Sequence, residues 1–403
     1  MATDAARQTS TPPETSGARL WLLGLIPLGL MAAIVVTFAL FGAPGLSERR
    51  GPPAEDLVVD KIVLHPGVIQ LTVRNDGPDP VAVEQVVVND GYTNFTSNHE
   101  EIGRLAADTL TVDYPWIEGE AYEIFLLTST GGTIDAEIPI AVETPAADAG
   151  FYGLMALLGT YVGVIPVLLG MLWLPLVRRS KPSTIRVLMA FTIGLLVFLT
   201  VDALLEGTGV AGEGSQAFGG PALVYLGAIV GYLTLYAVDV YMRSRYPSVE
   251  GKVVSGLYLA TLVAIGIGLH NLGEGLAIGA AYAGGALALG ALLVIGFAVH
   301  NTTEGLAVVV PVAKKRPSLL KLGGLGLIAG GPAILGAWIG AASFNGSIVA
   351  FLLGVGAGAI VQVIVQLAPF IRDESDRYLY PKSVAGLIAG IGVLYLTSLL
   401  VTA

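Results

Sequence analysis

The stretch His270-Asn271-Leu272-Gly273-Glu274-Gly275-Leu276-Ala277 returns as His300-Asn301-Thr302-Thr303-Glu304-Gly305-Leu306-Ala307, and each copy lies inside a long apolar run. The runs, 253–282 and 286–312, exceed the roughly 20 residues an α-helix needs to cross ~30 Å of hydrocarbon. Ionisable groups at that depth are costly and default to a functional reading. Within each copy His and Glu stand four apart and share one helix face, with Asn one position round from the His. Imidazole nitrogen, amide oxygen and carboxylate oxygen together suit a borderline divalent ion such as zinc, iron or manganese. The chain has no cysteine, which removes thiolate and copper(I) sites from contention.

Working outward, comparable apolar stretches fall near 20–43, 150–177, 186–206, 220–242, 321–342, 347–371 and 383–402, giving nine spans in all. Mean hydropathy is +0.74, charged residues are 13% of the chain, and 53 glycines are available for close helix contacts. The expected fold is an all-α polytopic membrane bundle of eight helices over 150–403, with an N-terminal anchor helix over 20–43 and an inserted extracytoplasmic β-sandwich. Leu20 to Ala43 is longer than the 7–15-residue apolar core of a signal peptide, so it reads as an uncleaved anchor. Residues 1–19 are rich in Thr, Ser, Pro and Ala and read as a disordered cytoplasmic tail.

Charge orients the bundle. Alternate connections carry fourteen basic residues: Arg178, Arg179, Lys181 and Arg186; Arg243, Arg245 and Lys252; Lys314, Lys315, Arg316 and Lys321; Arg372, Arg377 and Lys382. The intervening connections, 207–219, 283–286 and 343–346, carry none. The positive-inside rule puts the first set in the cytoplasm of a multi-pass cell-membrane protein.

Residues 51–148 differ in character, with 18 Asp and Glu against Lys61, Arg74 and Arg104. Short alternating apolar runs, Val68–Val73 and Val81–Val88 among them, are separated by turn signals at Asn75-Asp76-Gly77, Asn89-Asp90-Gly91 and Gly131-Gly132, as in a small antiparallel sandwich. The run around Gly131-Gly132 reads as one hairpin. The acidic surface suits solubility in a salty medium, and His65 and His99 read as surface histidines.

A short turn around Gly284-Gly285 makes the two motif helices antiparallel neighbours, with His270 and His300 closest in level near mid-bilayer. Two imidazoles, two carboxylates and two amides then form a cage whose charges neutralise one divalent ion. Asp202 and Glu206, four apart near the outer end of their helix, are candidates for the ion's entrance, although Glu206 borders the loop. Asp239 reads as an interfacial partner of Arg243.

Over 150–403 the chain resembles the ZIP family of divalent-metal transporters, which carries H-N-x-P-E-G-like motifs on the fourth and fifth of eight helices. The resemblance implies that His270, Glu274, His300 and Glu304 hold the transported ion, with Asn271 and Asn301 nearest a second or transient position. Gly273 and Thr303 stand where relatives have proline, so any opening of the helices falls to Gly273, Gly275 and Gly305. Gly330-Gly331-Pro332 lacks the Glu that relatives with two adjacent metals place before that Pro, which favours one ion. Gln362 and Gln366 stand where relatives carry acidic groups and remain candidates to line a path.

The expected function is transport of zinc, iron or manganese toward the cytoplasm, as a secondary transporter rather than an enzyme. No permanently bound cofactor is expected. The expected partners are the divalent ion, the lipid bilayer and a second copy of the chain in a homodimer; nucleic acid is not among them. Two other readings stay open: an intramembrane metallohydrolase, which lacks an evident general base, and a metal sensor that does not transport.

Overall fold

The computed structural model describes residues 25–27, 29–34, 36–37, 54–213, 216, 219–245, 256–283, 287–342 and 346–402. The expected tail over 1–19 and the turn at Gly284-Gly285 lie outside the described residues, as does most of the expected anchor. What is described of that anchor, within 25–37, is helical and exposed, and this N-terminal part forms a unit of its own.

In the remainder of the chain, two four-stranded antiparallel sheets come first. One has strand order β1 (Leu57–His65), β2 (Val68–Asn75), β6 (Ala107–Asp113), β5 (Phe95–Thr96); the other has β4 (Gly91–Thr93), β3 (Val83–Val88), β7 (Tyr122–Thr128), β8 (Thr133–Ile138). Alternation along the strands turns Ile69, Leu71 and Val73 of β2, Leu110 and Val112 of β6, Val86 and Val88 of β3 and Ile124 and Leu126 of β7 into one shared apolar core. The β3–β4 hairpin closes through Asn89 (φ 46°) and Asp90 (φ 64°), the left-handed pair that a two-residue turn of this hand requires. Gly131-Gly132 joins β7 to β8 as an antiparallel pair.

Among the described residues, eight helices follow. They are α1 (Ala149–Arg179), α2 (Pro182–Glu213), α3 (Ala222–Arg245), α4 (Gly256–Ala283), α5 (Leu287–Val309), α6 (Leu319–Ala342), α7 (Gly346–Leu367) and α8 (Pro381–Thr402). Among the described residues, α1 to α7 are each long and apolar enough to cross a membrane, the architecture of a multi-pass helical membrane protein. Two of them are interrupted. In α1, Thr160–Val164 is a π-helical turn, and Pro166 has no N–H to give Val162 its ordinary i+4 donor. In α6 the α-helix stops at Gly330 and restarts at Pro332. Helix α2 runs seven residues beyond the expected end of its span, so Glu206 sits inside the helix rather than at a solvated end.

Glycines set how the helices meet. A Cβ on Gly275 of α4 would stand 2.0 Å from the Ala333 carbonyl of α6, and one on Gly340 of α6 would stand 2.2 Å from that of Leu276. Gly305 of α5 meets Gly170 of α1 in the same way, and Gly358 of α7 meets Ala228 of α3. These close approaches tie α1, α4, α5 and α6 into one group and α2, α3, α7 and α8 into another. The groups meet chiefly along α4 and α7, where Gly356 of α7 lies under the His270 backbone.

Candidate metal centre

Helices α4 and α5 bring both motifs to one level, with the His270 and His300 rings 6.3 Å apart between centroids. Glu274 is the hub: its Oε1 lies 2.5 Å from His300 Nε2 and 3.0 Å from His270 Nε2. One ligand atom from each of His270, Glu274 and His300 lies within 4.8 Å of the other two. Ligand atoms around a tetrahedral ion with ~2.1 Å bonds stand about 3.4 Å apart. The contacts at 2.5 Å and 3.0 Å are shorter than that spacing, so an ion bound by all three groups would require them to stand up to about 1 Å further apart.

The two asparagines cross-brace the two helices. Asn301 Nδ2 donates to Glu274 Oε2 (2.9 Å) and to the Val162 carbonyl (3.1 Å), which belongs to the π-helical turn of α1. Asn271 Nδ2 donates to Glu304 Oε2 (3.3 Å) and to the Ala329 carbonyl (3.0 Å), beside the break in α6. In both cases the amide atom faces two acceptors, so it must be the nitrogen. Each asparagine thus holds the glutamate of the opposite motif, and an interrupted neighbouring helix supplies its second acceptor.

Lone pairs are left over. His270, Asn271, Glu274, Asn301 and Glu304 are each at most 3% exposed. Both ring nitrogens of His270, Oδ1 of Asn271, Oδ1 of Asn301 and Oε1 of Glu304 nevertheless have no hydrogen-bond partner. For His270 Nε2 the 3.0 Å contact to Glu274 is close enough for an ion pair but lacks hydrogen-bond alignment. Buried polar atoms without partners are costly. This surplus consists almost wholly of acceptors, which a cation would satisfy and a further hydrogen-bond acceptor would not. The donor set fits a borderline divalent ion.

Of the ten candidate residues, the structure gathers six here, but unequally: Glu304 stands apart from the close trio and is held by Asn271, the neighbour of His270 in sequence. Asp202 and Glu206 are half-buried on α2 and lie in the electrostatic field of Glu274, His270 and His300. Gln362 and Gln366 are buried on α7 but line a separate cavity against α3. Asp239 and Arg243 pair at 2.9 Å, and Tyr258 of α4 donates to Asp239 as well. His65 and His99 are exposed.

Helices α4 and α5 run unbroken through Gly273, Gly275 and Gly305. Gly275 and Gly305 permit backbone contact with α6 and α1, and Gly273 packs on Leu353 of α7; the helix irregularity lies instead in α1 and α6. Those two breaks, and the carbonyls of Val162 and Ala329 that accept from the motif asparagines, are the features of the site that the motifs alone did not reveal. Pro166 and Pro332 were the signals that could have found them. Comparison with protein-family models gives no match, and a search of curated proteins gives none either.

Proposed function

We propose that this chain is a ZIP-like transporter that carries divalent transition-metal cations, zinc foremost and iron or manganese also, through the His270/Glu274/His300 centre toward the cytoplasm. The observation that carries the reading is the surplus of buried, unpartnered acceptor atoms where two intramembrane motifs meet. In this reading the basic connections face the cytoplasm, residues 51–148 lie outside the cell membrane, and 20–43 adds an anchor to the eight-helix bundle.

The ion would enter past Asp202 and Glu206, exchanging water for carboxylate oxygens, and then part the Glu274–histidine cluster. Asn301 would keep Glu274 Oε2 in place while Oε1 turns to the metal. Beyond the centre, on the side of the basic connections, lies the largest apolar cluster, built from Leu259 to Ile267, Leu306 to Ala313, Ala359 to Ile371 and their neighbours. An ion cannot cross that plug, so release needs a second arrangement. The helix grouping supports one: all six motif side chains sit on the α1/α4/α5/α6 group, glycine contacts keep each group together, and displacement along the α4–α7 seam would carry the site past the plug. Binding must be strong enough to strip water yet weak enough to release.

The test is uptake of zinc, iron and manganese into liposomes containing the wild type, Glu274→Ala or His300→Ala. Flux in the wild type that collapses in both variants supports transport through this centre. Undiminished flux in either variant refutes the centre, and metal binding without flux of any ion refutes transport.

A further inference from the structure

A second cavity, of about 740 Å³, lies between α3 and α7 on the side of the basic connections, and none of the six motif residues lines it. Its polar lining is Asp239, Arg243, Gln362 and Gln366, and Tyr232, Tyr236 and Phe370 supply aromatic faces. Gln362 is 2% exposed and Gln366 9%. Gln362 Oε1 and both amide atoms of Gln366 have no partner within the protein. Asp239, 5% exposed, already accepts from Arg243 and Tyr258, so its charge is matched and the cavity is not a metal site.

From this lining we infer that the cavity binds the headgroup of an aminophospholipid, a lipid with a primary ammonium and a phosphate. The two unpartnered amide oxygens call for donors and the unpartnered Gln366 nitrogen for an acceptor; a primary ammonium brings three N–H donors and a phosphate brings the acceptor oxygens. Aromatic faces attract the same cation. Arg243, whose side chain is 55% exposed, stands two residues before the end of α3 and can pair with the phosphate. The guest's opposite charges mirror the Asp239–Arg243 pair, so neither partner brings an unmatched charge. The approach is lateral: Tyr236, Val240 and Val365 line the same cavity and are exposed on the flank of the bundle, where acyl chains lie. Arg243, near the end of a spanning helix, is at the level where headgroups begin.

The experiment is native mass spectrometry and thermal unfolding of the purified full chain in detergent, titrated separately with phosphatidylethanolamine, phosphatidylcholine and phosphatidylglycerol. Phosphatidylethanolamine is expected to be retained best and to raise the unfolding temperature most. Phosphatidylcholine offers a cation without N–H donors, and phosphatidylglycerol offers no cation. Gln362→Leu and Gln366→Leu should each weaken phosphatidylethanolamine retention roughly tenfold, the loss expected for about one hydrogen bond. Gln366→Glu, which adds an anionic acceptor and keeps the shape, should tighten it, and this arm holds even if a leucine variant fails to fold. Equal retention of all three lipids would mean that only acyl chains are read. Failure of the wild type to retain phosphatidylethanolamine would mean that the cavity holds water alone. Either result, or no tightening in Gln366→Glu, overturns the assignment.

Discussion

The cross-bracing of the two motifs makes an unequal prediction for two asparagines that the sequence presents as equivalent. Asn301→Ala removes a 2.9 Å bond to the Glu274 carboxylate and a 3.1 Å bond to Val162. A hydrogen bond to a charged group is worth about 1.5–3 kcal/mol and a neutral one about 1 kcal/mol. Asn271→Ala removes a 3.3 Å contact to Glu304 and a 3.0 Å bond to Ala329; the first is longer than a well-formed N–H···O bond and contributes about 0.5 kcal/mol. Both variants delete one unpartnered amide oxygen, so that loss cancels in the comparison. The difference left is about 1–2.5 kcal/mol, roughly 5- to 70-fold in dissociation constant, and it falls on Asn301 because Glu274 is the residue shared by both histidines. Zinc and manganese affinities of the two purified variants, measured by competition with a chromogenic chelator, check it. Equal losses, or a larger loss for Asn271→Ala, would refute the view that orienting Glu274 is what the asparagine contributes.

Two further predictions test the packing and the β-sheet region. A Cβ at Gly275 would meet the Ala333 carbonyl at 2.0 Å, whereas one at Gly273 finds its nearest neighbour, Leu353 Cδ2, at 3.3 Å; Gly275→Ala should therefore destabilise by about 1–3 kcal/mol and Gly273→Ala far less, as read by thermal unfolding in detergent. Asp108 is held below its ordinary carboxylate value: burial pushes it up, but hydrogen bonds from Ser97, the Thr109 N–H and His99 outweigh that effect. A lowered folded-state value means that its contribution to stability is present above the unfolded carboxylate value of about 3.9 and is lost as pH falls through the folded value. Hydrogen exchange at β6 should accelerate in acid over that window in the wild type and lose that component of its pH dependence in Asp108→Asn.

Much of this was legible in the sequence, for identifiable reasons. Helical spacing put His270 and Glu274 on one face, and antiparallel neighbours put His300 within reach of both, because four residues is close to one helical turn. The turn pair Asn89-Asp90 and the alternation in Val68–Val73 left little choice of strand position. What escaped was long-range. Nothing local says that the Val162 carbonyl needs a donor until Pro166 is seen to withhold one, and nothing says that the donor is Asn301, 139 residues away. The glycines of the motifs are ambiguous for a related reason: helix flexibility and close helix contact both favour glycine, and only the positions of α1 and α6 reveal the close contacts at Gly305 and Gly275.

The spacing H-N-x-x-E acquires a meaning as a pair that one copy does not have. The His and Glu of α4 face the site together, while Asn271, about 100° round the helix, turns toward the glutamate of α5; Asn301 returns the relation. A lone motif would leave both its amide and its carboxylate without that partner in an apolar interior, a costly state. Two antiparallel copies at one depth answer each other. The answer is not symmetric: Glu274 meets both histidines and the shorter amide bond, whereas Glu304 meets only the longer one and keeps Oε1 free. Gly331 before Pro332 adds no carboxylate on the Glu304 side that would balance the two halves. In the proposed transport, one ion centred on Glu274, with Glu304 as its neighbouring and weaker position, follows from that asymmetry more directly than two equivalent ions do.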